Sequence, residues 1–215
     1  MGRSVLEMKI IFCIPGNTFS NRFLKCWTQL TMELHRRDFE YELLSQYAPN
    51  VYKIRSLLLG GHRKFGQYQE PWQGNKEYDY IMWIDSDVIF EPSDFFRLLK
   101  HNKDIVSGLY LKKPKGHTLN DIPYEFACLK ESDKGLFTTE VNGELIEVFG
   151  NGMGWMLVKK GVFEKTPFPW FGPMITGLDF NGEDIAFQVR AKDVGFNSYV
   201  DTSIVLGHEK DVVLK

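Results

Sequence analysis

Two carboxylates, Asp85 and Asp87, stand one residue apart directly after five consecutive apolar residues, Tyr80 to Ile84, and before a second apolar triplet, Val88 to Phe90. A segment apolar on consecutive positions has to be covered on both faces, as in a central strand of a parallel sheet. In open α/β sheets ligands bind at the carboxyl ends of the strands, so the pair falls where a ligand would lie. If the chain stays extended there, residues one apart share a face, and both carboxylates point into one space. Like charges so placed repel, and each costs more when desolvated. A divalent cation relieves both problems, and hard oxygen ligands beside a diphosphate suit Mn2+ or Mg2+. The alternative is a plain turn into Glu91-Pro92, since Asp and Ser form turns through local hydrogen bonds.

Other residues could join such a site. Glu183 and Asp184 follow DFNG and open a predicted helix, where acids sit near the positive helix end. They are candidates for a general base, or simply caps. His208, after Gly207, ends an apolar strand and is either a metal ligand or a structural histidine. Arg55 lies on a predicted helix and can meet an anion or remain solvated. KKPKGH, Lys112–His117, is a basic loop able to close over a diphosphate, or a solvated one. Trp155, Trp170 and Phe171 offer aromatic faces for sugar rings, with core packing as the equal alternative. Of His35, His62, His101 and His117, only His62 in GGHRK is placed to approach a phosphate.

The elements that must position these residues alternate. MKIIFCIP reads as a buried strand closed by the turn Pro15-Gly16-Asn17. SNRFLKCWTQLTMELHRR has Phe23, Trp27, Leu30 and Leu34 at helical spacing, with Ser20 or Asn21 as cap. DFEYELLSQ alternates as a second strand, and VYKIRSLLLGG is a helix stopped at Gly60-Gly61. Gly61 to Lys76 reads as loop and helix ends. After the Tyr80–Ile84 strand come a helix in EPSDFFRLLKHN and a strand in DIVSGLYL. FACLK and LFTTEVNGELIEVFG predict a hairpin turning at Asn142-Gly143. A strand and short helix in GWMLVKKGVFEKTP, a helix in EDIAFQVRAKDVG and a strand in SYVDTSIVLGH complete the chain. This order predicts an α/β domain with a central, mostly parallel sheet flanked by helices, and a small antiparallel hairpin insertion.

The 215 residues are 43% hydrophobic, enough for one sizeable core. With 26 basic against 28 acidic residues, the net charge of -2 argues against phosphate-driven nucleic-acid binding and gives no polybasic membrane footprint. Three cysteines without a C-x-x-C pair read as reduced thiols. No apolar run approaches the ~18–20 residues of a membrane span. A cytoplasmic location is therefore expected. MGRSVLE, residues 1–7, precedes a second methionine and lacks a signal-peptide core. It is expected to be a leader, with residues 8–215 forming a single domain.

From Met8 to His208 the chain resembles GT-A-fold glycosyltransferases. IIFCIPGN resembles the opening strand and turn that cup the nucleotide base. DYIMWIDSDVIFEPSDFFRLL resembles the D-x-D strand and the helix after it. NGMGWMLVKKGVFEK resembles the glycine-containing strand and helix lining the sugar pocket. GEDIAFQVRAKDVGFNSYVDTSIVLGH resembles the acidic-pair helix and the strand that ends near the metal. The likeness extends to glycosyltransferase domains of large DNA viruses of algae acting on capsid glycans, which would mean a host-cytoplasmic viral enzyme.

The resemblance implies a metal-dependent, inverting transfer of a sugar from a nucleotide-diphosphate donor, a UDP-sugar, to a hydroxyl of a glycan or glycoprotein. It implies Mn2+ (or Mg2+) on Asp85, Asp87 and His208, with Asp87 the more direct ligand. It gives the donor to Pro15, Gly16, Asn17, Arg55, Asp85 and Ser86, and the acceptor or sugar pocket to Gly154, Trp155 and Trp170. Asp184 would be the base, with Glu183 second. One departure is that the second strand ends in LLSQY, where many relatives place an acid against the base; Ser45 or Gln46 would meet a uracil instead.

The chemistry follows independently. A metal stabilises the charge growing on a leaving diphosphate, a base takes the acceptor proton, and the reactants are held in line with water excluded. Two other readings compete. A haloacid-dehalogenase-like phosphohydrolase would use Asp85 as nucleophile, but its motif usually lies nearer the N-terminus and Ile89 brings no hydroxyl. A non-catalytic carbohydrate-binding domain would use the acids as turns and the aromatics as platforms. Nucleotidyltransferases are disfavoured because IPGNTFSNR lacks their G-x-G-x-R loop.

Overall fold

In a computed structural model of the chain, residues 8–111, 126–132, 135–137, 142–176 and 179–209 are described. Residues 1–7, expected as a leader, and the expected Lys112–His117 loop lie outside them.

Strand β1 (Lys9–Pro15) is buried along its middle and leads to helix α1 (Asn21–Arg36). Ser20 caps α1, its hydroxyl accepting from the Phe23 N–H at 3.0 Å. This satisfies one of the orphan donors of the first turn. Phe23, Cys26, Leu30 and Leu34 form the buried stripe, and Trp27 packs at its edge. Strand β2 (Glu40–Gln46) and helix α2 (Val51–Leu58) follow. The chain then passes Gly60, at φ +68°, and two short 3-10 turns, Arg63–Phe65 and Pro71–Gly74.

Strand β3 (Tyr80–Ile84) is buried at every position, as its unbroken apolar run requires. The two-residue strand β4 (Val88–Ile89), helix α3 (Pro92–His101) and strand β5 (Ile105–Tyr110) come next. Beyond them lie β6 (Cys128–Ser132), β7 (Gly135–Phe137), β8 (Leu145–Val148), β9 (Gly150–Asn151), β10 (Trp155–Lys159) and α4 (Val162–Lys165). The chain closes with the hairpin β11 (Met174–Thr176) and β12 (Asp179–Asn181), then α5 (Glu183–Asp193) and β13 (Ser198–His208).

The main sheet runs β2-β1-β3-β10-β5-β13-β4, with β8 also on β13. Strands β2, β1 and β3 are parallel, as are β5 and β13, while β10 runs antiparallel between the two groups. Helices cover both faces. Phe12, Met82, Ile84 and Leu157 meet α1 and α3 on one side. Cys13, Ile81, Trp83 and Met156 meet α2, α4 and α5 on the other. Among the described residues no helix is long and apolar enough to cross a membrane.

The arm expected before the Asn142-Gly143 hairpin turn runs through residues 138–141, outside the described ones. Gly143 does turn, at φ +79°. The strand after it, β8, pairs with β13 in the main sheet, and the small hairpin is β6 with β7. Both arrangements satisfy the same alternating pattern, so local sequence cannot choose between them.

Candidate active site

The carboxyl ends of β1, β3, β5 and β13 lie along one rim. The antiparallel β10 begins at that rim, and the Asp85 N–H donates to the Gly154 carbonyl at 2.9 Å. The Asp-Ser-Asp segment does not stay extended. The Val88 N–H donates to the Asp85 carbonyl at 3.1 Å, closing a turn. A turn ends the two-residue alternation that would have aimed both carboxylates into one space.

Asp85 faces Arg55. Both its oxygens lie against one guanidinium nitrogen, Nη2, at 2.9 and 3.1 Å. Arg55 Nε also lies 3.4 Å from Glu183 Oε1. The Arg55 side chain is only 2% exposed, and its guanidinium sits 5.4 Å from the Trp83 ring centre. Burial by itself lowers a guanidinium's pKa, but the carboxylates of Asp85 and Glu183 outweigh it, and the net shift is upward.

Asp87 faces His208, whose Nε2 is 3.1 Å from Asp87 Oδ2. The other ring nitrogen, Nδ1, lies 2.7 Å from the Leu111 carbonyl. A carbonyl only accepts, so Nδ1 carries a proton; in the neutral ring Nε2 then turns its lone pair toward the carboxylate, and in the charged ring it donates to it. In the neutral state, two electron-rich atoms so opposed are matched by a cation that both coordinate, and the Nδ1 contact is the usual outer-shell brace of a metal-binding histidine. The donor chemistry therefore fits Mn2+ or Mg2+. Among the described residues no group of three His, Cys, Asp or Glu is close enough to hold a metal. Of the expected trio, the structure brings Asp87 and His208 together, while Asp85 faces Arg55. Further ligands would come from phosphate and water.

Glu183 and Asp184 open α5 as expected. Burial pushes both carboxyls up. Asp184 Oδ1 accepts from the Ile185 N–H at 2.8 Å, which stabilises the charged form without cancelling the effect of burial. The helix is held by a buried amide clamp. Gln188 Nε2 donates to the Asp184 carbonyl at 2.9 Å and to the Asn151 carbonyl, while Gln188 Oε1 accepts the Asn151 N–H at 3.0 Å.

Tyr110, at the end of β5, joins these parts, and no sequence motif marks it. Its hydroxyl oxygen accepts the Gly154 N–H at 3.2 Å, and its ring meets the His208 ring edge-on with centres 5.0 Å apart. Burial and then the Asp85 carboxylate push the phenol up, so it stays protonated. A Cβ on Gly152 would fall 1.9 Å from the Tyr110 hydroxyl, and one on Gly154 would lie 3.2 Å from both that hydroxyl and Asp85 Oδ2. Only glycine fits at 152.

A cavity of about 300 Å3 lies between the β1 turn and the start of α2, lined by Pro15, Gly16, Asn17, Tyr47, Val51 and Ser86 among others. Tyr47, also unmarked in the sequence, is 58% exposed at its mouth. A wider cavity of about 820 Å3, bordered by Ser20, Arg22, Asp87 and His208, adjoins it at Ser86 and Asp87. Gly16 packs tightly on Ser86, where a Cβ would fall 2.8 Å from the serine Cβ.

The expected sugar platforms are corrected by burial. Trp155 and Trp170 are 0% exposed, as is Phe171. Trp170 Nε1 donates to the Phe163 and Thr166 carbonyls, and Trp155 packs on Phe90 at 4.5 Å between ring centres. They are core, not sugar platforms. Arg55, expected to meet an anion or remain solvated, is buried and meets the carboxylates of Asp85 and Glu183. His62 caps the Arg63–Phe65 turn, its Nδ1 accepting the Lys64 N–H at 3.1 Å.

No protein-family model matches the chain, and no curated protein matches it significantly. Among solved structures it is similar to A197 from STIV, at 22% identity, TM-score 0.54 and 97% coverage of both chains. It is also similar to a mutant of the Drosophila β-1,4-galactosyltransferase 7 in complex with manganese, UDP-Gal and xylobiose. That match is at 14% identity and TM-score 0.52, over 95% of this chain and 71% of the other. A glycosyltransferase involved in glycosylation of the major capsid of PBCV-1 aligns at 12% identity over 76% of this chain and 68% of the other, with a TM-score of 0.30, too slight to carry any argument. The fold is that of GT-A glycosyltransferases: a central, mostly parallel sheet flanked by helices, with small antiparallel hairpins.

Proposed function

We propose that the chain is a metal-dependent glycosyltransferase that moves a sugar from a UDP-sugar to a hydroxyl of a glycan, with inversion, and that residues 8–215 make up one catalytic domain. The observation that carries this reading is the Asp87–His208 pair. It faces two nucleotide-sized cavities at the carboxyl rim of a GT-A sheet, with the buried acids of α5 on the same rim. The similar galactosyltransferase complex, with manganese, UDP-Gal and xylobiose, supports the donor and acceptor classes.

In this reading the nucleoside occupies the cavity of Pro15, Gly16, Asn17 and Tyr47. Tyr47 offers a ring face to the base. The diphosphate passes Ser86 toward Asp87 and His208, which would hold Mn2+ (or Mg2+). The metal supplies charge stabilisation to the departing diphosphate. Gly154, expected in the sugar pocket, is buried against Asp85 and Tyr110, where a Cβ would lie 3.2 Å from each, so it fixes these two side chains at the rim. Asp184 takes the acceptor proton as the hydroxyl attacks, its carboxyl raised toward neutral pH by burial as a general base requires.

Two competing readings lose their support. Asp85 as a phosphohydrolase nucleophile would have to leave a bidentate contact with Arg55. A carbohydrate-binding platform of Trp155, Trp170 and Phe171 would need rings that are instead buried. The test is thermal shift against UDP, GDP and dTDP with and without Mn2+, followed by donor turnover. Mn2+-dependent stabilisation by UDP, lost in Asp87→Ala, is expected. An unchanged response in Asp87→Ala overturns the assignment.

A further inference from the structure

We infer that Arg55 is the positioning residue that divides the two carboxylates of Asp-Ser-Asp between different tasks. It withdraws Asp85 from the metal and ties it to Glu183, leaving Asp87 and His208 as the protein's metal ligands. The inference rests on the proposed glycosyltransferase reading and goes beyond it by assigning a role to a residue that contacts neither nucleotide nor metal.

The geometry is specific. One guanidinium nitrogen meets both oxygens of Asp85, and Nε meets Glu183 across 128 residues of sequence. The Arg55 side chain is 2% exposed, against 29% for Asp85 and 13% for Glu183. The cation is therefore the buried partner, and the acids reach down to it from the rim. Arg55 Nη1 is buried with no hydrogen-bond partner among the described residues. The two carboxylates are thus the polar anchors of the guanidinium, and Trp83 is its flat floor. The contact joins the turn after β3 directly to the first residue of α5. Asp87 lies two residues from Asp85 across the closed turn and Asp184 one residue from Glu183, so Arg55 sets the spacing between metal ligand and base without touching either. A lysine keeps the charge but lacks the planar fork, so it cannot hold both acids at once.

The test compares Arg55→Lys, Asp85→Asn and Asp87→Asn with wild type in donor turnover and in Mn2+-dependent UDP binding by calorimetry. Arg55→Lys and Asp85→Asn should bind UDP with Mn2+ within about threefold of wild type while kcat falls ~10–100-fold, the usual effect of losing an outer-shell partner. Asp87→Asn should lose the Mn2+ dependence of binding. If Asp85→Asn weakens that dependence as much as Asp87→Asn does, Asp85 is a metal ligand and the inference is overturned. It is likewise overturned if Arg55→Lys raises KM for the UDP-sugar at unchanged kcat, because Arg55 then contacts the donor. A second measurement needs no activity: urea unfolding of Arg55→Lys, Asp85→Asn and the double variant. Non-additive losses support the clamp, and additive ones reject it. If Asp87→Asn alone leaves Mn2+-dependent UDP binding intact, the functional reading fails while the unfolding cycle still decides the clamp.

Discussion

Replacing Gly152 with alanine tests how the rim is assembled. The new Cβ would fall 1.9 Å from the Tyr110 hydroxyl, 2.7 Å from its Cζ and 3.1 Å from the Ala127 Cβ. The tyrosine cannot simply swing aside, because its ring is 7% exposed and packed edge-on against His208. Overpacking of this kind costs about 1–3 kcal/mol. Displacing the phenol from the Gly154 N–H adds about 1 kcal/mol for the lost hydrogen bond. The sum, about 2–4 kcal/mol, is a large part of the ~5–15 kcal/mol that holds a domain together. At ~2–4 °C per kcal/mol for a chain of this size, Tm should fall by roughly 4–16 °C. The informative assay is a double-mutant cycle with Tyr110→Phe, read by urea unfolding. Removing the hydroxyl removes the shortest overlap, so the double variant should be less destabilised than the two single losses summed, by about 1 kcal/mol or more. Losses additive within ~0.5 kcal/mol would refute the steric argument. Donor turnover should fall in Gly152→Ala and partly return in the double variant, since Tyr110 braces both His208 and Gly154.

Asp184→Asn should abolish transfer while leaving Mn2+-dependent UDP binding within about threefold of wild type; loss of binding alone would mean that Asp184 is no base. The raised carboxyl of Asp184 should place the acid limb of the wild-type kcat profile above the ordinary carboxylate range of about 4, with activity lost as pH falls through it. Asp201, beside His101 at 2.8 Å, is pushed up by burial but held lower overall by hydrogen bonds from Ser203 and His101. Its folded-state pKa is depressed, so its contribution to stability is complete above the unfolded value of about 4 and drains away as pH falls through the lower folded value. The stability gap between wild type and Asp201→Asn in urea should therefore narrow below about pH 4; a gap constant with pH would contradict this. Trp155→Ala should cost about 3–5 kcal/mol of unfolding free energy as a core truncation, and a change in acceptor affinity with an unmoved denaturant midpoint would restore the platform reading.

Much of the fold was legible locally. The helix α1 stripe, its Ser20 cap and the buried β3 each follow from spacing and residue type over a few positions. The pairing of β8 was not legible locally, because it fits equally well against a neighbouring strand or against β13, some fifty residues on in the chain. Strand β4 and the β11–β12 hairpin were missed for a related reason: they are too short to show a period and exist only through their partners.

For the site, the sequence by itself determined which chemical groups the chain owns and which ends of its strands and helices they occupy. Asp85, Asp87, Glu183, Asp184 and His208 all stand at such ends, as strand and helix signals imply. Tertiary structure alone decided their pairing. One turn after β3 separated Asp85 from Asp87, and a buried Arg55 on α2 claimed the first while His208 on β13 claimed the second. Tyr110 became part of the site only because glycines at 152 and 154 left room for its hydroxyl. Burial likewise turned Trp155 and Trp170 from possible platforms into core. A side chain's type and local period do not specify its partner, because desolvation and charge pairing depend on what packs against it from distant parts of the chain.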